Sequence, residues 1–189
     1  GHRVALVAAV AAASPPAAAA LDPGAQMPAR PGINRLRVRE TLTVTAEDAE
    51  TLEALHAMSV SSRRAAGAPR GPQPFGAEIT VGVERSSQLH CDDADLARLL
   101  DSIGKAREGN DIVIAYLHSH YWASPIEDTP AWARDLGHRC IDAGASVVLG
   151  HGTPVLQGLE LYRDGLIAHG LGSFIFHTRK PAAYDASGW

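Results

Sequence analysis

Three adjoining stretches decide the fold: "DIVIAYLH" (Asp111–His118), "TPAWARDLGHRCIDAGA" (Thr129–Ala145) and "SVVLGH" (Ser146–His151). The first and third are short apolar runs rich in β-branched residues, the pattern of buried strands. The second reads as a helix with Thr129 as N-cap and Pro130 at the first helical position, where its missing N–H costs nothing. Strand, helix and strand within about 40 residues form a βαβ unit, which requires parallel strands. Downstream, "VLQGLELYRDGLIAHGLGSFIF" (Val155–Phe176) holds two short strands around the turn "YRDG". The fold class is α/β.

Upstream the pattern is less regular. "LRVRETLTV" (Leu36–Val44) alternates apolar and polar residues, as a half-buried strand does. Thr45 follows as N-cap, with Asp48 three residues on in a capping-box-like start, and Leu52, Leu55 and Met58 form an apolar row that predicts a core-facing helix. "AEITVGVERS" (Ala77–Ser86) predicts a short strand. "CDDADLARLLDSIGKAREGND" (Cys91–Asp111) predicts a helix: acidic residues at its start, Leu96, Leu99, Leu100 and Ile103 on one side, Lys105 and Arg107 near its end. Two Pro-, Gly- and Ala-rich stretches read as loops, and Arg63, Arg64 and Arg70 in the second read as solvated charges.

The 189 residues suffice for one domain with a core. A net charge of −4 and a pI near 6.1 exclude a nucleic-acid surface or a polybasic membrane patch. No apolar run reaches the ~18–20 residues of a membrane-spanning helix. Cys91 and Cys140 are far apart and fit neither a disulfide framework nor a zinc knuckle. The opening "GHRVALVAAVAAASPPAAAA" has two readings: a secretory signal, or a buried strand followed by a Pro-Ala loop.

Chemistry concentrates at the carboxyl ends of the two buried strands, where α/β sheets collect ligands. "LHSHYW" places His118 and His120 there, and "LGHG" places His151. His118 and His120 are one residue apart, so in extended chain they share a side. Neutral imidazole is the commonest metal ligand. The glycines flanking His151 permit a tight turn that brings the ring close to an ion or phosphate. His2, His56, His90 and His138 read as ordinary surface or helix residues. Glu127 and Asp128 lie in the loop after "HSHYW", within reach of the same site. Asp142 reads as a helix-end cap or ion-pair partner, and Glu160 falls in a strand. No HExxH, P-loop, GxGxxG or GxSxG is present. An HxH pair also occurs in barrel amidohydrolases, but there it sits on the first strand of a chain of ~250 residues.

These motifs resemble a known family. "LHSHYW", "CIDAGASVVLGHGTPVLQGLELYRDGLIAHGLGSFIF" and "RPGINRLR" are similar to the CapA proteins of capsule or poly-gamma-glutamate biosynthesis, in the metallophosphatase-like (calcineurin-like) superfamily. The match is strong over Ile112–Phe176 and weaker over Gly1–Arg39. The resemblance implies a partial α/β sandwich, two sheets flanked by helices, with the N-terminal half of the domain missing. It makes "GHRVALVAAV" an internal strand rather than a signal. It divides the chain into a strand and Pro-rich loop (1–39), a variable strand and helix region (40–110) and a βαβ block with histidine loops (111–178).

The resemblance assigns His118 and His151 as ligands of one divalent metal ion (Mn, Fe, Zn or Mg) and His120 as a catalytic residue that orients substrate or gives a proton to the leaving group. Glu127, His169 and Ser173 are the substrate-binding candidates. The family's second loop histidine falls at Pro154, which offers no ligand atom, and His169 and Ser173 replace a tyrosine and an asparagine. The metal site of this chain is therefore expected to be incomplete. The implied chemistry is metal-assisted hydrolysis of a small phosphoester or amide, or of an anionic polymer. The alternative is a non-catalytic scaffold for assembly or export of that polymer, working with capsule-synthesis machinery at the cell envelope.

Overall fold

The computed structural model describes residues 1–11, 20, 31–58 and 77–175. Arg63, Arg64 and Arg70 and most of the first Pro-rich stretch lie outside them. The described residues form a mixed α/β structure with two sheets and three helices, divided between two compact units: Gly1–Ala8 with Ile103–Trp189, and Ala9–Ser102.

The larger sheet has five strands: β1 (Val4–Ala11), β5 (Ile112–Ser119), β6 (Val147–His151), β7 (Leu159–Tyr162) and β8 (Gly165–Ala168), in the order β1-β5-β6-β8-β7. The opening segment is thus a strand of this sheet. β5, β6 and β8 are parallel, and β7 returns antiparallel to β8 through the turn at Arg163 and Asp164. The predicted βαβ unit is β5–α3–β6, with α3 spanning Ala131–Asp142. Ala115, Val148 and Ile167 lie in one cross-strand row and are all buried. This row faces α3: a Cβ added to Gly137 of the helix would touch the Ile167 side chain at 3.2 Å, and one added to Gly165 would meet Ile141. Side chains alternate along a strand, so Ile114, Tyr116, His118, Val147, Leu149, His151 and Leu166 stand on the opposite face. That face continues onto β7, where Leu159 and Leu161 are 73% and 82% exposed.

The start of α3 differs from the sequence expectation. Pro130 is the N-cap, with extended ψ of 143°, its carbonyl accepts from Ala133 and Arg134, and no side chain caps the helix, so Thr129 does not.

The second sheet has the order β3-β2-β4, where β2 is Val38–Val44, β3 Glu78–Val81 and β4 Ser86–Cys91. β2 pairs parallel to β3 and antiparallel to β4. The capping box at α1 (Ala46–Met58) is present: Asp48 N donates to Thr45 Oγ1 at 3.2 Å and Thr45 N to Asp48 Oδ2 at 3.1 Å. The same carboxylate takes two bonds from Arg85. The apolar row of α1 is not core, since Leu55 and Met58 are exposed and no residue of the helix is buried. An i, i+3, i+6 row slips about 60° per step around a helix of 3.6 residues per turn, so it forms no stable face without i+4 partners. α2 (Asp93–Gly109) carries its stripe as expected, with Leu96, Leu99 and Ile103 buried and Leu100 half-buried. Asp95, near its start, is buried and receives Arg37 Nε at 2.6 Å, Arg37 N at 3.0 Å and Arg98 at 2.8 Å. Burial alone would raise this carboxyl; the two arginines and the Arg37 backbone outweigh it and hold it well below the usual carboxylate range.

Candidate metal centre

His118 and His151 are direct cross-strand partners, the last pair in the parallel register of β5 and β6. The register puts both side chains on the sheet face away from α3, at the carboxyl end. Their rings lie 5.7 Å apart, centroid to centroid, and nearly parallel. His120 turns back toward His118, with the two Nε2 atoms 3.0 Å apart, so one ring holds the proton between them. Burial lowers the pKa of His118, and the nearby His120 and His151 lower it further. A neutral imidazole is the form that ligates metal.

The glycines around His151 have distinct reasons. A Cβ at Gly150 would collide with the carbonyl oxygen of His169. Gly152 has φ of +106°, and a Cβ there would collide with the carbonyl of Ser119. The loop after β6 is thus threaded between two backbones. Pro154 contributes its carbonyl, which accepts from Ser173 N at 2.9 Å. Buried side-chain polar atoms without a hydrogen-bond partner among the described residues include His151 Nδ1, at the end of β6, and Thr153 Oγ1, in the loop that follows. Such atoms are costly unless something pairs with them.

The other candidates are distributed around this pair. Glu127 is exposed, in a turn whose flanking carbonyls, Ile126 and Asp128, both accept from Gln157 Nε2 at 2.9 and 3.0 Å. Gln157 thereby ties the loop after β5 to the loop after β6, a role with no sequence signal beyond its presence in the "VLQG" motif. Ser173 is half-buried and held by its backbone. His169 follows β8 and falls on the α3 side: its Nε2 lies 2.8 Å from Glu160 Oε2, and the other oxygen of Glu160 lies 2.6 Å from Nε2 of His138, on α3. The structure therefore groups His118, His120 and His151, and separates His169 from them. Read from sequence as ordinary, His138 is a partner in the second cluster, where it stacks on Tyr162 at 4.0 Å. Asp142 pairs with Arg163 at 2.8 Å, as its position suggests.

A histidine pair at the carboxyl ends of two parallel strands, on a chain of this α/β class, coincides with a family match. The chain belongs to the family described as bacterial capsule synthesis protein PGA_cap, whose model matches residues 1–178. Among relatives, y4sH of Sinorhizobium fredii, described as uncharacterized, is 30% identical over 179 residues, covering 90% of this chain and 37% of its own length. The capsule biosynthesis protein CapA of Bacillus anthracis is 35% identical over 83 residues, 41% of this chain and 20% of its own. The PGA biosynthesis protein CapA of Bacillus subtilis is 32% identical over 84 residues, 44% of this chain and 21% of its own. The chain thus spans a little over a third of the length of the first of these relatives.

A metal implied by the metallophosphatase-like resemblance can be tested against the residues present. His118, kept neutral, and His151, with a buried ring nitrogen lacking a partner, fit as two donors. Among the described residues no group of three or more His, Cys, Asp or Glu side chains is arranged to hold an ion. Within the described residues the pair therefore offers two imidazole donors and no third ligand of these types.

Proposed function

We propose that this chain carries two imidazole ligands of a metal-dependent hydrolase that acts in capsule biosynthesis on a phosphoester or amide. The observation that supports this most is the register pairing of His118 with His151. It brings two imidazole rings to one face of the sheet without any rearrangement of the strands. Imidazole donors favour zinc or iron over magnesium. When bound, the metal would act as a Lewis acid and lower the pKa of bound water. His118 and His151 hold and orient; His120, exposed and with its Nε2 3.0 Å from that of His118, is placed to pass a proton to a leaving group. Glu127 and the Gln157-braced loop would face the incoming substrate from the β5 side.

A scaffold role is the second reading, and Pro154 favours it: the residue serves as a backbone brace and offers no donor. The two readings separate on metal dependence. The hydrolase reading predicts weak binding of Zn²⁺ or Mn²⁺ to this chain, abolished by His118→Ala or His151→Ala, with no turnover of a generic phosphodiester until further ligands are supplied. Tight stoichiometric metal together with phosphodiesterase activity in the chain alone would refute the half-site, and no histidine-dependent binding at all would favour the scaffold.

A further inference from the structure

On the α3 side of the sheet, Glu160 of β7 sits between two imidazoles, with one oxygen on His138 Nε2 and the other on His169 Nε2. A carboxylate accepts only, so each ring donates its Nε2–H. A neutral ring that donates through Nε2 has an unprotonated Nδ1. The side chain of His169 is only 6% exposed, so its orientation is set by this bond and its packing. Its carbonyl lies against Gly150, next to His151. The segment that His169 begins is stitched along its length to the loop after β6: Leu171 N donates to Gly150 O at 3.0 Å, Gln157 N to Gly170 O at 2.9 Å, and Ser173 N to Pro154 O at 2.9 Å. That segment is therefore the backbone brace of the His151 loop.

We propose that Glu160 is a positioning residue: it locks His169 in the Nε2–H tautomer and, through the 169–173 brace, fixes the loop that presents His151 on the other face of the sheet. Carboxylate partners commonly set the tautomer and direction of a functional imidazole. Here the carboxylate acts one step further back, on the backbone that carries the ligand. His138 completes the charge environment of Glu160 and secures it to α3. The tautomer assignment stands on the hydrogen bonds alone; the consequence for a metal at His151 rests on the hydrolase reading above.

The test is imidazole nitrogen NMR of the full chain with labelled histidine, at about pH 8, where ordinary imidazoles are neutral. In the native chain His138 and His169 both show the Nε2–H pattern. Glu160→Ala moves His169 to mixed tautomers and shifts the His151 resonances, although the His151 side chain stands on the other face of the sheet. Glu160→Gln, near-isosteric and the safer variant for folding, leaves an acceptor oxygen for one ring only and drives the other toward the Nδ1–H form. His138→Phe leaves the His169 tautomer in place. An Nδ1–H His169 in the native chain, or His151 resonances unmoved in a folded Glu160 variant, overturns the proposal. Addition of Zn²⁺ to the native sample is a separate arm: failure of His118 and His151 to respond would count against the metal reading and leave the tautomer result standing.

Discussion

His151 is held by what surrounds it more than by bonds of its own. Gly152 must adopt φ of +106° beneath the Ser119 carbonyl. Gly152→Ala is therefore expected to cost about 1–3 kcal/mol and to displace the His151 ring; chemical denaturation and the His151 NMR resonances check both. Wild-type stability in that variant would show that the loop relaxes freely. Asp95 is the opposite case, a buried carboxylate satisfied by four hydrogen bonds from Arg37 and Arg98. Asp95→Ala removes an acceptor that two guanidinium groups share, while Arg37 keeps Asp92 and Arg98 keeps the Arg35 carbonyl. Because Arg37 is 42% exposed and can rehydrate, the expected loss is about 2 kcal/mol, below the 3–5 kcal/mol of a fully buried pair. At this scale the sequence spoke clearly where function and backbone coincide: a histidine in a glycine frame at a strand end is visible in one line of residues. The Glu160 cluster was not, because its members come from α3, β7 and the segment after β8, and only the sheet register brings them together.

Among the elements, those with a strong local code were legible. The Thr45–Asp48 box, the apolar stripe of α2 and the β5–α3–β6 unit all follow from residue spacing. Thr45→Ala should lower stability by about 1 kcal/mol, the usual worth of such a cap, as read by a urea midpoint; an unchanged midpoint would mean that α1 contributes nothing to the unfolding unit. The misreadings have physical causes. β4, "SSQLHC", has too few apolar positions to announce itself and is recruited by pairing with β2. The Leu52, Leu55 and Met58 row lacks i+4 reinforcement and stays exposed. Thr129 looked like a cap because residue type was favourable, but extended Pro130 takes the capping position itself.

For the whole molecule, acid sensitivity should follow from its carboxylates. Asp48 is held below its ordinary range by Arg85 and Thr45, Asp95 by Arg37 and Arg98 against its own burial, and Glu160 by His138 and His169. The unfolded chain thus takes up protons first. Stability is complete above the unfolded carboxylate pKa of about 4 and falls as pH drops toward the depressed native values. Urea midpoints between neutral and acid pH should decline accordingly, and Asp95→Asn should flatten the decline; a pH-independent midpoint would contradict the assignment. The α/β class and the parallel order of β5 and β6 were foreseeable from the alternation of apolar strands and an amphipathic helix. The pairing of His118 with His151 was not, because register depends on how the strands settle against α3. That pairing is the central claim for function. Its most direct test is titration of the histidine-labelled chain with Mn²⁺, reading paramagnetic broadening of each imidazole. The account predicts that His118 and His151 broaden first and together, with His120 close behind and His138 and His169 spared; uniform broadening of all nine histidines, or none at His151, would contradict it.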